Sequence, residues 1–355
     1  MIDVRSPAEF AQGHIPGAVN IPLFTNEERK VVGTAYKQES RGKAIKIGLD
    51  YFGPKMRSIV EEVEALVSSE QLAVSNTEHC SANRQLSAAN SVFLYCWRGG
   101  MRSGAIAWLL QLYGFPVTVL AGGYKAFRAH VLNTFEQPFS FKVVGGYTGS
   151  GKTELLPALQ EQGEAIIDLE ALAHHKGSAF GNIGMPKQPT QEMFENKLSL
   201  ELLAVSRKQE HIDPDSPFRG TGGIWIEDES QRIGQLNIPS ALWKTLRSSP
   251  VYFLDIPFDE RLKHIVEEYG AMDKTALSEA IQRISKRLGG LQTKEALRHL
   301  EEGALSDSFS ILLCYYDKHY LKGLHNREGL QTLLTTIPCE TVTPANAGLL
   351  TPITV

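Results

Sequence analysis

A chain of 355 residues, 42% hydrophobic and 21% charged, is long enough for two domains and has the composition of an ordinary globular protein. The net charge of −4 excludes a polycationic nucleic-acid binder, so any RNA contact must come from a local basic face. No apolar run approaches the roughly 20 residues that span a bilayer, and the four cysteines (Cys80, Cys96, Cys314, Cys339) form no CxxC pair, which argues against a membrane protein, a disulfide framework or a zinc site. With no basic-then-apolar leader after Met1, a reducing, cytoplasmic setting is expected.

Short strand candidates open the chain at residues 2–5 and 18–21, the second preceded by the turn-like His14-Ile15-Pro16-Gly17. A third, 91–95, runs straight into a cysteine loop. Residues 104–112 then read as a helix with Ile106, Leu109 and Leu110 on one face, and 117–120 as a strand closed by Gly122 and Gly123. Strands alternating with helices predict a parallel sheet with crossovers. Between them lies an insertion, 24–90, with helical patterns at 27–37 and 55–67. Its polar part, Ser68 to Asn90, predicts a surface loop.

A proline ends a helix at Glu136-Gln137-Pro138, which divides the chain into a first domain, 1–135, and a second, 136–340. The second opens with a strand at 141–144 feeding a glycine loop, followed by a helix at 154–162. Three more apolar runs end in acids: 165–168, 224–227 and 251–255. Buried parallel strands read this way, and acids at their carboxyl ends face the ligand crevice. From Asp259 onward helical spacing dominates, and the proline-broken stretch 341–355 predicts a frayed tail.

The glycine loop, Gly146-Tyr147-Thr148-Gly149-Ser150-Gly151-Lys152-Thr153, follows a strand and starts a helix. Its glycines let backbone N–H groups curl inward, and the helix N-terminus adds partial positive charge. Gly146, Thr148, Gly149, Ser150, Gly151, Lys152 and Thr153 are therefore candidates to hold a diphosphate. Lys152 can reach terminal phosphate oxygens and the Thr153 hydroxyl can ligate Mg²⁺. Asp168, Glu227 and Asp228 are candidates for a metal, its waters or a second substrate, or else for helix caps. The adjacent His174 and His175 point to different sides of a helix, which favours packing or surface roles over a metal pair.

The cysteine loop is Cys96-Trp97-Arg98-Gly99-Gly100-Met101-Arg102-Ser103. Backbone N–H groups, the helix dipole and two arginines lower a thiol's pKa and favour the thiolate. That thiolate can accept sulfur or selenium, or attack phosphorus, which makes Cys96 the candidate nucleophile. Arg98, Gly99, Gly100, Arg102 and Ser103 form the anion ring around it.

The run from Asp3 to Phe10, then Gly13 to Pro22, the Cys96 loop and Leu120-Ala121-Gly122-Gly123-Tyr124 resemble a rhodanese domain. A rhodanese domain fused in this order to a P-loop domain resembles the tRNA 2-selenouridine synthases. Asn26 to Arg29, Val32 to Gln38, Gly177 to Gly181 and Gly222 to Ser230 extend the match, to about Leu330. The implied fold is α/β: a rhodanese-like parallel-sheet domain, then a P-loop NTPase-like parallel-sheet domain with a helical C-terminal part. The five residues between Cys96 and Arg102 make a wider ring than in many simple sulfurtransferases, as in related phosphatases, and suit a tetrahedral anion such as selenophosphate.

The resemblance implies a selenotransferase and geranyltransferase acting on the wobble 2-thiouridine of tRNA, with geranyl diphosphate and selenophosphate as co-substrates and Mg²⁺ as cofactor. A selenophosphate synthetase is an implied partner, while ATP is compatible with the loop but not required. Arg261, Lys263, His264, Arg283, Lys286, Arg287, Lys294, Arg298 and His299 offer a basic face for tRNA phosphates, or a solvated face mixed with acids. Two rivals stay open: a sulfurtransferase coupled to a small-molecule kinase, and an NTPase with a non-catalytic rhodanese docking module. A phosphatase fits less well, because Arg98-Gly99-Gly100 supplies no acid for a leaving group.

Overall fold

The computed structural model describes residues 1–75, 91–210 and 222–351. The chain forms two units, Met1–Leu132 and Asn133–Val355, dividing just ahead of the expected boundary.

The first unit contains β1 (Ile2–Asp3), α1 (Pro7–Gln12), β2 (Val19–Asn20), α2 (Asn26–Gln38), α3 (Arg41–Phe52), α4 (Met56–Ser75), β3 (Val92–Tyr95), α5 (Met101–Tyr113), β4 (Val117–Val119) and α6 (Gly123–Thr134). Its four strands are parallel, in the order β2-β1-β3-β4. Local chemistry starts the helices: Ser6 with Glu9, and Thr25 with Glu28, make reciprocal capping boxes. The insertion is part of the core. Phe52, Ile59 and Val63 pack with Val4, Leu94, Ile106 and Leu110. Residues 68–75 continue α4 instead of forming the expected loop. No glycine or proline stops them, and the Ser69 hydroxyl donates back to the Leu66 carbonyl. The remainder of that loop, with Cys80, lies outside the described residues.

The second unit contains β5 (Phe141–Gly146), α7 (Lys152–Glu161), β6 (Ala165–Ile167), α8 (Leu169–Ala173), α9 (Gln191–Glu210), β7 (Ile224–Glu227), β8 (Arg232–Ile233), β9 (Leu236–Asn237), α10 (Ser240–Arg247) and β10 (Val251–Asp255). It continues with α11 (Phe258–Tyr269), α12 (Lys274–Leu288), α13 (Gly290–Glu302), α14 (Leu305–His325), α15 (Leu330–Leu333), β11 (Leu334–Pro338) and α16 (Ala347–Leu350). Five parallel strands run in the order β6-β7-β5-β10-β11, and β8-β9 form a separate antiparallel pair. The chain leaves β5 toward one edge, returns through β7 beside it, then builds the other side with β10. The loop after β5 thus sits at a switch point, where open α/β sheets bind ligands.

Two features depart from expectation. The run Leu334–Pro338 is an edge strand in register with β10, Val251 opposite Leu334. The stretch 341–351 is folded, not frayed: Ala347 and Leu350 are buried against Leu155, Leu156 and Leu159 of α7. The Asn346 side chain holds the Thr341 carbonyl at 2.9 Å. Buried apolar surface, which a local polar pattern does not reveal, outweighs the prolines.

Candidate active sites: a cysteine loop and a glycine loop

Cys96 sits at the carboxyl end of β3, 3% exposed, with the loop turning into α5 above it. Burial pushes its thiol up, but the Ser103 hydroxyl and the backbone N–H groups of Ser103, Arg98 and Gly100 outweigh this, and the net pKa is lowered. The Sγ lies 3.3 Å from Ser103 Oγ, whose single proton can go to the sulfur or to the Gly100 carbonyl 3.1 Å away. The ring is braced from behind by the turn before α6. Tyr124 N–H donates to the Cys96 carbonyl at 2.8 Å and Lys125 N–H to that of Trp97 at 2.9 Å. Gly99 (φ +65°) and Gly123 (φ +58°) are required here, because a Cβ on Gly123 would stand 2.3 Å from the Cys96 carbonyl oxygen.

The two arginines differ. Arg98 is exposed on the loop. Arg102 is drawn to α1, donating to Glu9 Oε2 at 2.7 Å, and Glu9 also lies 3.6 Å from Arg29. Burial alone would raise the Glu9 pKa, but Arg102 holds it below the usual carboxylate range. Beneath the ring, buried Arg5 is paired with Asp3 at 2.6 Å and lies 3.8 Å from the centre of the Tyr124 ring. Sequence reading took Asp3, Arg5 and Glu9 only as parts of a pattern; their spacing carried no sign of which loop residue they would hold.

The glycine loop closes over the end of β5. Gly149 (φ +80°) and Gly151 (φ +69°) take conformations that glycine favours. A Cβ would meet Ile265 at 2.7 Å in the first case and Val342 at 2.6 Å in the second. The C-terminal stretch therefore backs the loop directly. Lys152 Nζ donates to the Gly146 carbonyl at 3.1 Å, and Thr153 Oγ1 to Glu170 Oε2 at 2.9 Å. Ser150 Oγ is buried with no hydrogen-bond partner among the described residues.

The three candidate acids separate. Asp168 caps α8, accepting from Ala171 N–H at 2.7 Å. Asp228 is taken by structure: it pairs with buried Arg327 and accepts from the Tyr320 hydroxyl at 2.8 Å, which itself accepts the Gly146 N–H at 3.1 Å. Each of its oxygens already holds one partner within the chain. Glu227 is 1% exposed; one oxygen accepts Leu169 N–H at 3.0 Å and the other has no partner among the described residues.

Burial, with Asp168 and Glu170 nearby, pushes Glu227 well above the usual carboxylate range. Burial and Glu170 do the same to Glu229. Glu170 and Glu229 were missed by sequence reading; only the approach of distant segments makes them neighbours of Lys152. Among the described residues no cluster of three or more His, Cys, Asp or Glu forms a ready metal cage. Mg²⁺ needs few protein oxygens when phosphate supplies others, so Thr153, Glu170 and the unpartnered Glu227 oxygen fit it.

Other expectations resolve locally. His174 takes a left-handed conformation (φ 51°) closing α8, and His175 is buried. Arg261 does not belong to a solvated basic face. It is 3% exposed, forms a double hydrogen bond with Asp317 at 3.0 and 2.8 Å, and donates to the Thr148 carbonyl at 3.0 Å. Arg283, Lys286, Arg287 and Lys294 are exposed on α12 and α13, while Lys263 pairs with Glu260 and Arg298 with Glu302. No described helix is long and apolar enough to cross a membrane.

The fold and the two loops define a class of two-domain α/β enzymes, a rhodanese-like domain followed by a P-loop domain. Residues 1–50 match the rhodanese-like domain family, and residues 139–333 match the family model described as tRNA 2-selenouridine synthase AAA domain. The chain is 34% identical to the tRNA 2-selenouridine synthase of Bdellovibrio bacteriovorus over 92% of its length and 89% of that protein. It is 32% identical to that of Shewanella frigidimarina (92% and 89%) and 33% identical to that of a Sulfurovum species (92% and 87%). The chain belongs to the tRNA 2-selenouridine synthase family.

Proposed function

We propose that the protein converts 2-thiouridine at the tRNA wobble position to 2-selenouridine through S-geranyl-2-thiouridine. The observation that carries this reading is the pairing of two unlike anion cradles on one chain: a thiol with lowered pKa inside a ring of N–H groups, and a diphosphate-type glycine loop with no nucleophile. In the first step the thiocarbonyl sulfur attacks C1 of geranyl diphosphate, diphosphate leaves, and the N3 proton of the base is released to solvent. Lys152 and the loop N–H groups receive the developing charge. A Mg²⁺ ion held by Thr153 with Glu170 and Glu227 would add charge neutralisation on the diphosphate.

The second step exchanges the group at C2. An alkylated sulfur leaves as a thiolate, whereas a thiocarbonyl sulfur does not. Cys96 thiolate attacks the phosphorus of selenophosphate, the P–Se bond breaks, and hydroselenide is released within the ring. Hydroselenide adds at C2 and geranylthiolate departs; water then frees Cys96 from its phosphoryl group. The wide ring from Cys96 to Arg102 suits that tetrahedral phosphorus, with Arg98 as the exposed cation at its mouth. The exposed arginines and lysines of α12 and α13 would meet the tRNA backbone, which predicts affinity that falls with rising salt. Selenophosphate would come from a selenophosphate synthetase.

The test is to incubate the protein with 2-thiouridine tRNA, geranyl diphosphate and selenophosphate and to read nucleosides by mass spectrometry. Cys96→Ser stalls after prenylation and Lys152→Ala before it; the reverse order of blocks overturns the division of labour. A requirement for ATP would favour the coupled kinase instead.

A further inference from the structure

Tyr320 of α14 reaches the first residue of the glycine loop. Its hydroxyl accepts the Gly146 N–H at 3.1 Å and donates its one proton to Asp228 Oδ2 at 2.8 Å. Asp228 Oδ1 is held by the guanidinium of Arg327, which is buried and also donates to the Leu246 carbonyl at 2.9 Å. The phenol comes this close because Gly145 has no side chain: a Cβ there would stand 2.8 Å from the Tyr320 oxygen. The other polar group of Gly146, its carbonyl, accepts Lys152 Nζ at 3.1 Å. One residue of main chain thus joins a phenol fixed by an ion pair to the charge-bearing lysine.

The same helix holds the loop a second time. Asp317 lies three residues before Tyr320, on the same face of α14, and takes both ends of the Arg261 guanidinium at 3.0 and 2.8 Å. Arg261 donates in turn to the Thr148 carbonyl at 3.0 Å. Between these ties the Tyr147 ring meets Phe253 and Tyr320 edge-on, at 5.1 and 5.9 Å between centres, with the Arg261 guanidinium 4.7 Å from its own centre. The Gly146 N–H is spent within the chain, so an anion in the loop depends on later N–H groups and on Lys152.

A lysine side chain has several rotatable bonds, and holding it near its place before an anion arrives removes part of the ordering cost of binding. The Gly146 carbonyl can do this only while its own residue stays still. The phenol supplies that restraint. Burial and the Asp228 carboxylate push the Tyr320 pKa well above its ordinary value, which keeps the phenol protonated and its proton on Asp228.

We propose that Tyr320 is a positioning residue of the glycine loop: through Gly146 it fixes where Lys152 waits for a diphosphate, and Asp228 with Arg327 holds Tyr320 in that role. The assignment rests on the reading of this loop as a diphosphate cradle, and it makes Asp228 a support of the cradle and not a ligand.

The experiment uses the full chain with Mg²⁺. Calorimetry gives the affinity for inorganic pyrophosphate. Acylation by an amine-directed reagent, mapped by peptide mass spectrometry, gives the reactivity of Lys152. Lys142, on the same strand β5 and 5.1 Å from the centre of the Trp225 ring, reports any general loosening of the unit. Tyr320→Phe keeps the ring and removes only the hydroxyl. It is expected to weaken pyrophosphate binding about tenfold, the lower end of what losing an outer support costs at metal sites, and to raise Lys152 reactivity while Lys142 holds. Asp228→Asn leaves the phenol a neutral acceptor and should shift both readouts the same way by less. If neither readout moves in Tyr320→Phe, the phenol is packing alone and the proposal is overturned. Weaker binding with Lys152 reactivity unchanged also overturns it, because the effect then bypasses the lysine. If Lys142 loosens along with Lys152, Asp228→Asn decides: a change at Lys152 alone supports the proposal and no change ends it. A larger loss of affinity in Asp228→Asn than in Tyr320→Phe, with Lys152 unmoved, makes Asp228 a ligand and overturns the relay. Wild type that binds no pyrophosphate fails the diphosphate reading itself, and this assignment with it.

Discussion

At the end of β3 the backbone points its N–H groups at a sulfur that belongs to the chain. At the end of β5 a similar strand–loop–helix turn closes over a lysine backed by carboxyls. The first loop carries its own latent anion, and its neighbours favour ionisation: Cys96 is lowered despite burial. The second has acids behind it whose charged form burial disfavours, with Glu227 and Glu229 both raised well above the ordinary range. In one cradle the Ser103 hydroxyl and backbone N–H groups together favour the thiolate. The other holds Lys152 near carboxyls whose protonated form burial favours. The titratable groups of the two loops thus shift in opposite directions.

The largest effects come from removing the reacting or charge-bearing group of either loop. Cys96→Ser and Lys152→Ala should each lower 2-selenouridine formation by about 10²-fold or more, consistent with losing a nucleophile or one preorganised electrostatic contact. The comparison sharpens if geranyl diphosphate affinity is unchanged in Cys96→Ser and lost in Lys152→Ala, read by calorimetry. It breaks if both variants lose it.

Supports behind the loops come next. Arg261 ties the Thr148 carbonyl to Asp317, so Arg261→Ala leaves a half-buried carboxylate and a loosened glycine loop. Removing one partner of such a pair costs about 3–5 kcal/mol. Urea denaturation should show the loss, with the cysteine loop's reactivity toward alkylating agents retained. Leu350→Ala removes packing against α7 and should cost about 2–4 kcal/mol. No change in stability there would mean that the C-terminal stretch is an ornament on the second unit, not part of its core.

Strand–loop–helix sites were legible because both depend on short contiguous runs. Cys96 to Ser103 and Gly146 to Thr153 declare strand end, turn glycines and helix start within a dozen residues. The supports were not legible, because each joins residues far apart in the chain. Glu9 meets Arg102, Glu170 meets Thr153, Asp228 meets Arg327, and Val342 meets Gly151. Asp228 shows the limit most clearly. Position at a strand end left it a candidate for a metal, a second substrate or a helix cap, and its two partners, from α14 and the turn beyond it, are invisible in local pattern. The stretch 341–351 misled for the converse reason: its polar and proline content hides the few residues, Val342, Asn346, Ala347 and Leu350, that tie it to the second unit.

The opposite titrations give the next test. Acids whose folded pKa is raised add stability that is complete below their unfolded value and is lost as pH rises through the raised value. A divalent cation at Thr153, Glu170 and Glu227 reverses that loss by replacing protons. Mg²⁺ affinity in the presence of pyrophosphate should therefore increase with pH and release protons, seen by calorimetry in buffers of different ionisation enthalpy. Affinity flat across that range would mean that the buried acids do not face the ion.

The smallest effect concerns Ser103. Its hydroxyl lies 3.3 Å from Cys96 Sγ and helps hold the thiol below its ordinary pKa. Ser103→Ala removes that donor but leaves the backbone N–H groups in place. The pH midpoint of Cys96 alkylation should move up, toward an ordinary cysteine, without reaching it. The sign for stability follows. A lowered folded pKa contributes stability above the unfolded thiol value and loses it as pH falls through the folded value, so the variant's deficit should appear at alkaline pH and vanish in acid. Diphosphate affinity at the glycine loop should not move. A midpoint unchanged by Ser103→Ala would leave the whole shift to the backbone, and the cysteine loop would then rely on main chain as fully as the glycine loop does.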